Sequence, residues 1–219
     1  MKKIELTKEQ FLYLLLNPNP FDQGVYGKLT IIGDYLFKLY YKDFIGTYIN
    51  GDDETLANEV DTLQTVEKQL DRNTLERKEE EYSRLLNTKS NKLIEGILSY
   101  QGLFVGVVMH YYKDYISLSE AADKISVEER DKYINMGYEL AKDLLDHNIV
   151  PKDISETNIL VNLETGDVVL IDLDDPETTY GPDGYVNKFP HHRRTIDENV
   201  KDMIRRLDQR RGIIDPREI

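Results

Sequence analysis

The sequence predicts an α+β fold, with a β-rich N-terminal half and a helical C-terminal half. Apolar runs of strand length lie on both sides of two glycine-containing turns, Gly33-Asp34 and Gln101-Gly102. Apolar residues then recur at helical spacing over 127–146 and again over 196–208. We therefore expect the main sheet in the first half of the chain and most of the helices in the second.

The N-terminal half opens with an amphipathic segment. Apolar residues at helical spacing predict a helix over 5–16, and the prolines within 17–20 end it. Strands are predicted over 28–32 and 35–41, on either side of the turn at Gly33-Asp34.

A charged, helix-prone segment at 51–90 separates these strands from a second pair, which lies within 92–112. The boundary between the halves falls near 112–117. We therefore divide the chain into an N-terminal lobe, residues 1–112, and a C-terminal lobe, residues 113–219, and we expect the two to form one domain.

The C-terminal lobe contains the longest predicted helix, whose apolar residues share one face. These residues are Tyr133, Met136, Leu140, Leu144 and Leu145. Two short strands are predicted on either side of a turn at 164–167, followed by a proline-containing loop over 176–194 and a last helix over 196–208.

Composition narrows the classes of function. The chain has 219 residues, a formal net charge of −13 at pH 7 and no cysteine. The negative charge argues against nucleic acid or an anionic membrane as the main partner, because phosphate groups would repel it. Without cysteine there are no disulfides, thiolate metal sites or cysteine nucleophiles. No signal-peptide pattern and no membrane-spanning apolar run is found, so we expect a cytoplasmic protein, with leaderless secretion left open.

Three residues with related chemistry lie at the ends of apolar segments: Asp153, Asn158 and Asp172. Two carboxylates and an amide suit a phosphate-bound Mg²⁺, because this ion prefers oxygen ligands. Asp153 is the candidate base for a hydroxyl nucleophile, and Asn158 and Asp172 are the candidate metal ligands. Lys38, inside the apolar strand "YLFKLYY", is the candidate for binding nucleotide phosphates, since burying an isolated ammonium is unfavourable.

Aspartate and asparagine are also common in turns and helix caps. Taken alone, Asp153 and Asn158 would be interpreted in that way. Their combination with Asp172 after the apolar run "VVLI", and with Lys38 upstream, favours the chemical interpretation.

Seven segments of the chain resemble the protein kinase superfamily, in the order and at roughly the spacing found there, between residues 21 and 210. They read "DQGVYGKL", "YLFKL", "EYSRLL", "VVMHYY", "VPKDISETNILV", "LIDLDD" and "TIDENVKDMIRRL". The resemblance implies a bilobal protein-kinase-like fold, with an antiparallel β-sheet in the N-lobe and a reduced, mainly helical C-lobe.

The resemblance also implies an ATP site in the N-lobe. Lys38 would contact the phosphates and pair with Glu81 or with its neighbour Glu80. The other implied nucleotide contacts are those of the glycine-rich loop, Gly24, Tyr26 and Gly27, and those of the gatekeeper and hinge, Met109, His110 and Tyr112.

In the C-lobe, the resemblance implies that Asp153 is the base and that Asn158 and Asp172 bind Mg²⁺. Asp197 would hold the backbone of the catalytic loop. The implied activity is an ATP-dependent phosphotransferase that phosphorylates Ser, Thr or Tyr hydroxyls of a protein, or of itself. Its partners would be ATP, Mg²⁺, and a protein substrate or an activating protein.

Several positions depart from the protein-kinase pattern. Pro151, Lys152 and Ser155 replace histidine, arginine and lysine of the catalytic loop, and Asp174 replaces the glycine of the metal-binding triplet. The loop and the acidic triplet also resemble those of aminoglycoside and choline kinases. A small-molecule kinase, or a pseudokinase that binds a nucleotide or a partner, therefore stays open as an alternative.

Overall fold

A computed structural model describes most of the chain. The described residues are 2–16, 22–24, 27–40, 73–89, 94–151, 153–173 and 178–213. Predictions that fall on Tyr26, Lys152, Asp174 or the segment 51–72 lie outside them.

The described residues form a mixed α+β fold, which confirms the predicted class. The strands are β1 (Lys2–Glu5), β2 (Asp22–Gly24), β3 (Gly27–Ile32), β4 (Tyr35–Leu39), β5 (Ile94–Tyr100), β6 (Leu103–His110), β7 (Ile116–Ser117), β8 (Ile149–Val150), β9 (Ile159–Val161), β10 (Val168–Leu170) and β11 (Thr179–Tyr180). The helices are α1 (Lys8–Leu16), α2 (Asn73–Leu85), α3 (Leu118–Ala121), α4 (Val127–Asp146), α5 (Tyr185–Lys188) and α6 (His191–Arg210). Within the described ranges, none of these helices is both long enough and apolar enough to cross a membrane.

The chain divides into two compact units. The first contains Met1–Leu86 and Lys92–Tyr112, and the second contains Asn87–Asn91 and Lys113–Ile219. Strands β1 to β6 belong to the first unit together with α1 and α2, and the later elements belong to the second.

Six strands form the sheet of the first unit, in the order β1-β5-β6-β4-β3-β2. The hairpins β3–β4 and β5–β6 confirm the two predicted turns, where Gly33 and Gly102 adopt left-handed φ values of +61° and +74°. The expectation of an antiparallel sheet is wrong at one edge, because β1 runs parallel to β5 and makes the sheet mixed. The partner of β1 lies far along the chain, so no local pattern identifies this pairing.

Helix α1 starts later than the predicted helix because Thr7 caps it. The Gln10 N–H donates to Thr7 Oγ1 at 3.2 Å, and the Thr7 N–H donates to Gln10 Oε1 at 2.9 Å. This reciprocal cap satisfies two donors that the first helical turn leaves unpaired. Phe11, one turn further on, is fully buried and stacks on Tyr100 with 4.5 Å between ring centroids. The helix is thereby packed against the sheet.

Helices α4 and α6 form the frame of the second unit. Helix α4 covers the residues predicted for it and begins with a capping box formed by Ser126 and Glu129. Three contacts join it to α6: Arg130 Nη1 to Asp208 Oδ1 at 2.6 Å, Tyr138 OH to Asp197 Oδ1 at 2.5 Å, and Arg193 Nη2 to Asp146 Oδ1 at 2.7 Å. Their order is reversed between the two helices, which are therefore antiparallel.

Two small sheets complete the second unit, with strand orders β10-β9-β7 and β11-β8. Strands β9 and β10 confirm the pair predicted around 164–167. The loop predicted over 176–194 is wrong in part, because it contains β11, α5 and the first residues of α6. Pro190 precedes α6 with a φ of −62°, and this fixed angle is compatible with the start of a helix.

Gly106 of β6 occupies a position that no side chain can share. An ideal Cβ at this residue would lie 2.1 Å from the backbone carbonyl oxygen of Lys38 in the neighbouring strand. We predict that Gly106→Ala lowers the free energy of unfolding by about 1–3 kcal/mol, because backbone atoms cannot move aside as a side chain would. Urea denaturation followed by circular dichroism measures this loss.

Gly102→Asn is the matched control for Gly106→Ala. Gly102 has a φ of +74° and no atom within 4 Å of an ideal Cβ. Asparagine tolerates left-handed backbone, so we expect a loss of less than about 1 kcal/mol. Equal losses for the two variants would contradict the close approach of β6 to β4.

Candidate active site

The loop between β8 and β9 brings the first two predicted site residues together. Asn158 Nδ2 donates to Asp153 Oδ2 at 2.9 Å and to the Asp153 carbonyl oxygen at 3.2 Å. Ile154 and Ile159 of the same segment are buried, and these apolar anchors fix the loop against the core. Asp153 itself is exposed, so its carboxylate can meet a ligand.

Asp172 follows β10, and the backbone joins it to the same loop. The Ile171 N–H donates to the Asn158 carbonyl oxygen at 2.9 Å. Asp172 has a φ of +62°. Left-handed backbone is unfavourable for most residues by roughly 1–2 kcal/mol, and aspartate and asparagine tolerate it best. A non-glycine residue in this conformation beside a polar loop is typical of functional sites.

The donor set of this loop fits a hard cation. Both hydrogen bonds of the Asn158 side chain use Nδ2, which leaves Oδ1 as a ligand oxygen. Together with the Asp172 carboxylate it supplies the oxygen types that Mg²⁺ prefers. Among the residues that the structure describes, no group of three or more His, Cys, Asp or Glu side chains could hold a metal ion. Further ligands would have to come from a bound phosphate and from water.

Two residues that the sequence did not single out hold this loop. Arg206 of α6 donates Nε to Glu156 Oε1 at 3.2 Å and Nη2 to Glu156 Oε2 at 2.7 Å. Burial alone would raise the pKa of Glu156, but the hydrogen bonds from Arg206, a hydrogen bond from the backbone and the charges of Arg206 and Arg210 together lower it. The sequence signal that could have pointed to this contact is Glu156, an acidic residue between Asp153 and Asn158.

Strands β2 to β4 of the first unit carry the residues implied for phosphate binding. Gly24 pairs with Gly27 where β2 joins β3, and Tyr26 between them lies outside the described residues. Lys38 of β4 is buried, with 9% of its surface exposed. Its Nζ lies 5.5 Å from the centroid of the Tyr40 ring, within range of a cation–π interaction.

Glu81 and Glu80 of α2 form ion pairs on their own helix. Glu81 Oε2 lies 2.9 Å from Lys78 Nζ, and Glu81 Oε1 lies 3.8 Å from Arg77 Nε. Glu80 Oε1 lies 3.1 Å from Arg84 Nη2. The pairing of Lys38 with either glutamate stays a prediction.

The residues implied for the gatekeeper and hinge lie at the end of β6. Met109 is buried and paired in register with a residue of β4. His110 is exposed, and its ring contacts the Tyr112 ring edge-on with 4.9 Å between centroids. The contact of these three residues with adenine stays a prediction.

Asp197 of α6 accepts its hydrogen bond from the Tyr138 hydroxyl of α4. This hydrogen bond is the main cause of the raised pKa of Tyr138, and burial adds to it. Asp197 therefore ties α6 to α4. Its predicted contact with the backbone of the catalytic loop stays a prediction.

Tyr115 supports the strands on which the site is built. Its hydroxyl donates to Asp167 Oδ2 at 2.8 Å, in the turn between β9 and β10. Burial, followed by this hydrogen bond, raises the pKa of Tyr115 to about 12. Asn158 directly precedes β9 and Asp172 closely follows β10, so the neutral phenol helps to hold the hairpin that connects them.

No protein-family model and no curated protein matches this chain. Its function is therefore inferred from the geometry of its residues. The loop that joins Asp153 to Asn158 and the strand that buries Lys38 are the two features on which that inference depends.

We predict that the burial of Tyr115 and its hydrogen bond to Asp167 make stability fall at high pH. The pKa of Tyr115 in the folded protein, about 12, lies above the ordinary value of about 10 for tyrosine. Its contribution is therefore complete below about pH 10 and is lost as the pH rises through the folded-state pKa. Urea denaturation at several alkaline pH values measures this loss.

Tyr115→Phe should flatten this part of the pH dependence, because phenylalanine does not ionise. Asp167→Asn should lower the pKa of Tyr115. This pKa is measured from phenolate absorbance, after subtracting the absorbance of the matching variant in which Tyr115 is replaced by phenylalanine. An unchanged pKa in Asp167→Asn would contradict the role of the hydrogen bond.

Proposed function

We propose that the chain is an ATP-dependent phosphotransferase of the protein-kinase-like superfamily, which phosphorylates hydroxyl groups of a protein or of itself. The observation that carries this proposal is the 2.9 Å hydrogen bond from Asn158 to Asp153. The Asn158 carbonyl oxygen also accepts a hydrogen bond from the N–H of Ile171, the residue before Asp172. A base and two metal ligands of this reaction type need to lie this close together.

In the proposed reaction Asp153 orients the acceptor hydroxyl and accepts its proton. The hydrogen bond from Asn158 Nδ2 fixes one carboxylate oxygen of Asp153, so the other can face the hydroxyl. Asn158 Oδ1 and the Asp172 carboxylate would hold Mg²⁺, which neutralises charge on the transferred phosphoryl group when it is bound.

Lys38 is the residue that we assign to the nucleotide phosphates. It lies near the end of β4, a strand paired with β3 and β6, and this pairing restricts the position of its backbone. A buried ammonium next to an aromatic ring gains from an anion, since it has lost much of its hydration. Catalysis would then come mainly from the positions and charges of these groups.

The proposal is tested by incubating the protein with labelled ATP and Mg²⁺ and searching for incorporated phosphate by mass spectrometry. We predict that Lys38→Met lowers turnover by about 100-fold or more, because a positioned charge on the phosphates is lost. Methionine preserves most of the buried volume of Lys38, so the midpoint of thermal unfolding should change little. Asp153→Asn keeps the shape of the loop and serves as the inactive reference.

The outcomes separate this function from the alternatives. Equal turnover in Lys38→Met and the wild type would remove Lys38 from the phosphate site. A rise in the unfolding midpoint with Mg²⁺-ATP, without any phosphoryl transfer, would indicate a pseudokinase. Transfer to an added aminoglycoside or choline, but not to protein, would indicate a small-molecule kinase.

We predict that Asp172→Asn abolishes the part of nucleotide binding that depends on Mg²⁺. A neutral amide is a poorer ligand for a hard cation than a carboxylate. Asparagine accepts the φ of +62° as readily as aspartate, so the backbone should be undisturbed. Thermal unfolding with ATP, in the presence and absence of Mg²⁺, measures the effect, and an unchanged Mg²⁺ dependence would count against Asp172 as a ligand.

A further inference from the structure

The catalytic loop depends on other elements for its position. Between Pro151 and Asn158 the described residues form neither helix nor strand. Ile154 is buried and anchors the loop to the core, but an apolar contact does not by itself orient the exposed carboxylate of Asp153. Directional hydrogen bonds are needed for that.

Glu156, in the middle of the loop, receives the strongest of these bonds. Arg206 Nε and Nη2 each donate to a different oxygen of its carboxylate, at 3.2 Å and 2.7 Å. This two-point arrangement fixes both distance and orientation, which a lysine cannot do. The Glu156 side chain is only 17% exposed, so solvent competes little for it.

A second set of bonds holds the backbone of the same residue. The Ser119 N–H at the start of α3 donates to the Glu156 carbonyl oxygen at 2.8 Å. Arg210 of α6 in turn donates Nη1 to Ser119 Oγ at 3.1 Å. Arg206 and Arg210 are one helical turn apart and share a face of α6. Both the side chain and the backbone of Glu156 are thus linked to this helix.

We propose that Glu156 and Arg206 are positioning residues for phosphoryl transfer, which clamp the loop to α6 so that Asp153 and Asn158 keep their geometry. This inference rests on the proposed function. Neither residue needs to touch the substrate, because both act through the loop. The charge of Arg206 also lies close enough to Asp153 for the two to interact electrostatically.

The test compares Glu156→Gln, Arg206→Gln, the double variant and Arg206→Lys in full-length protein, with Mg²⁺-ATP as the probe. Initial rates of phosphate incorporation give kcat and KM, and circular dichroism gives the unfolding midpoint. We expect each glutamine variant to lower kcat about 10–100-fold, since a misplacement near 1 Å has effects of that size, with KM changed less than about threefold. The double variant should be no worse than either single one, because the two residues act as a unit.

Arg205→Gln is the matched control. Arg205 is the neighbour of Arg206 on α6 and is equally exposed, at 47% against 48% of the side chain. Its partner Asp202 lies on the same helix at 3.2 Å and not in the loop, so kcat should stay at the wild-type value. Arg206→Lys should recover part of the lost rate, because it keeps the charge and one donor.

Three results would overturn the inference while the proposed function stands. The first is a wild-type kcat in Glu156→Gln and Arg206→Gln, and the second is an additive loss in the double variant. A loss that parallels the fraction of unfolded protein, with no rescue by Arg206→Lys, would also overturn it. If the wild-type protein transfers no phosphoryl group, the proposed function itself is contradicted. This outcome is measured on the wild type alone and needs no variant.

Discussion

The ion pair between Glu156 and Arg206 is the interaction on which the candidate site depends. A loop without strand or helix pairing must satisfy its polar groups with donors from elsewhere, or it stays mobile. Here Arg206 of α6 supplies the donors to the Glu156 side chain, and Ser119 at the start of α3 supplies the donor to the Glu156 carbonyl oxygen. The hydrogen bond from Asn158 to Asp153 is then made within a loop that is already held.

The position of α6 depends in turn on a different kind of contact. Arg130 of α4 is 1% exposed and pairs with Asp208 of α6, and removing one partner of such a buried pair typically destabilises by about 3–5 kcal/mol. A partly exposed pair such as Glu156 with Arg206 contributes about 0–1 kcal/mol. The first pair therefore stabilises the unit, while the second mainly orients a loop, so stability and positioning are separable by mutation.

Local sequence patterns predicted the hairpins and α4, because their signals lie within a few residues of each other. The closeness of Asp153 and Asn158 was likewise expected from one short segment. The parallel pairing of β1 with β5 was not, because it joins distant parts of the chain. The sequence also could not show which arginine of α6 pairs with Glu156, because Arg205 and Arg206 are neighbours that differ only in the direction in which their side chains point from the helix.

The proposed function has two halves with different physical support. The base and metal half is contained in the second unit, where Asp153 and Asn158 are in direct contact. The phosphate half depends on Lys38 in the first unit, where burial makes an anionic ligand favourable. Glu81 pairs with Lys78 on its own helix, and its predicted pairing with Lys38 stays a prediction. A nucleotide phosphate carries the negative charge that an ammonium group binds, so the assignment of Lys38 to the phosphates does not depend on whether Glu81 contacts it.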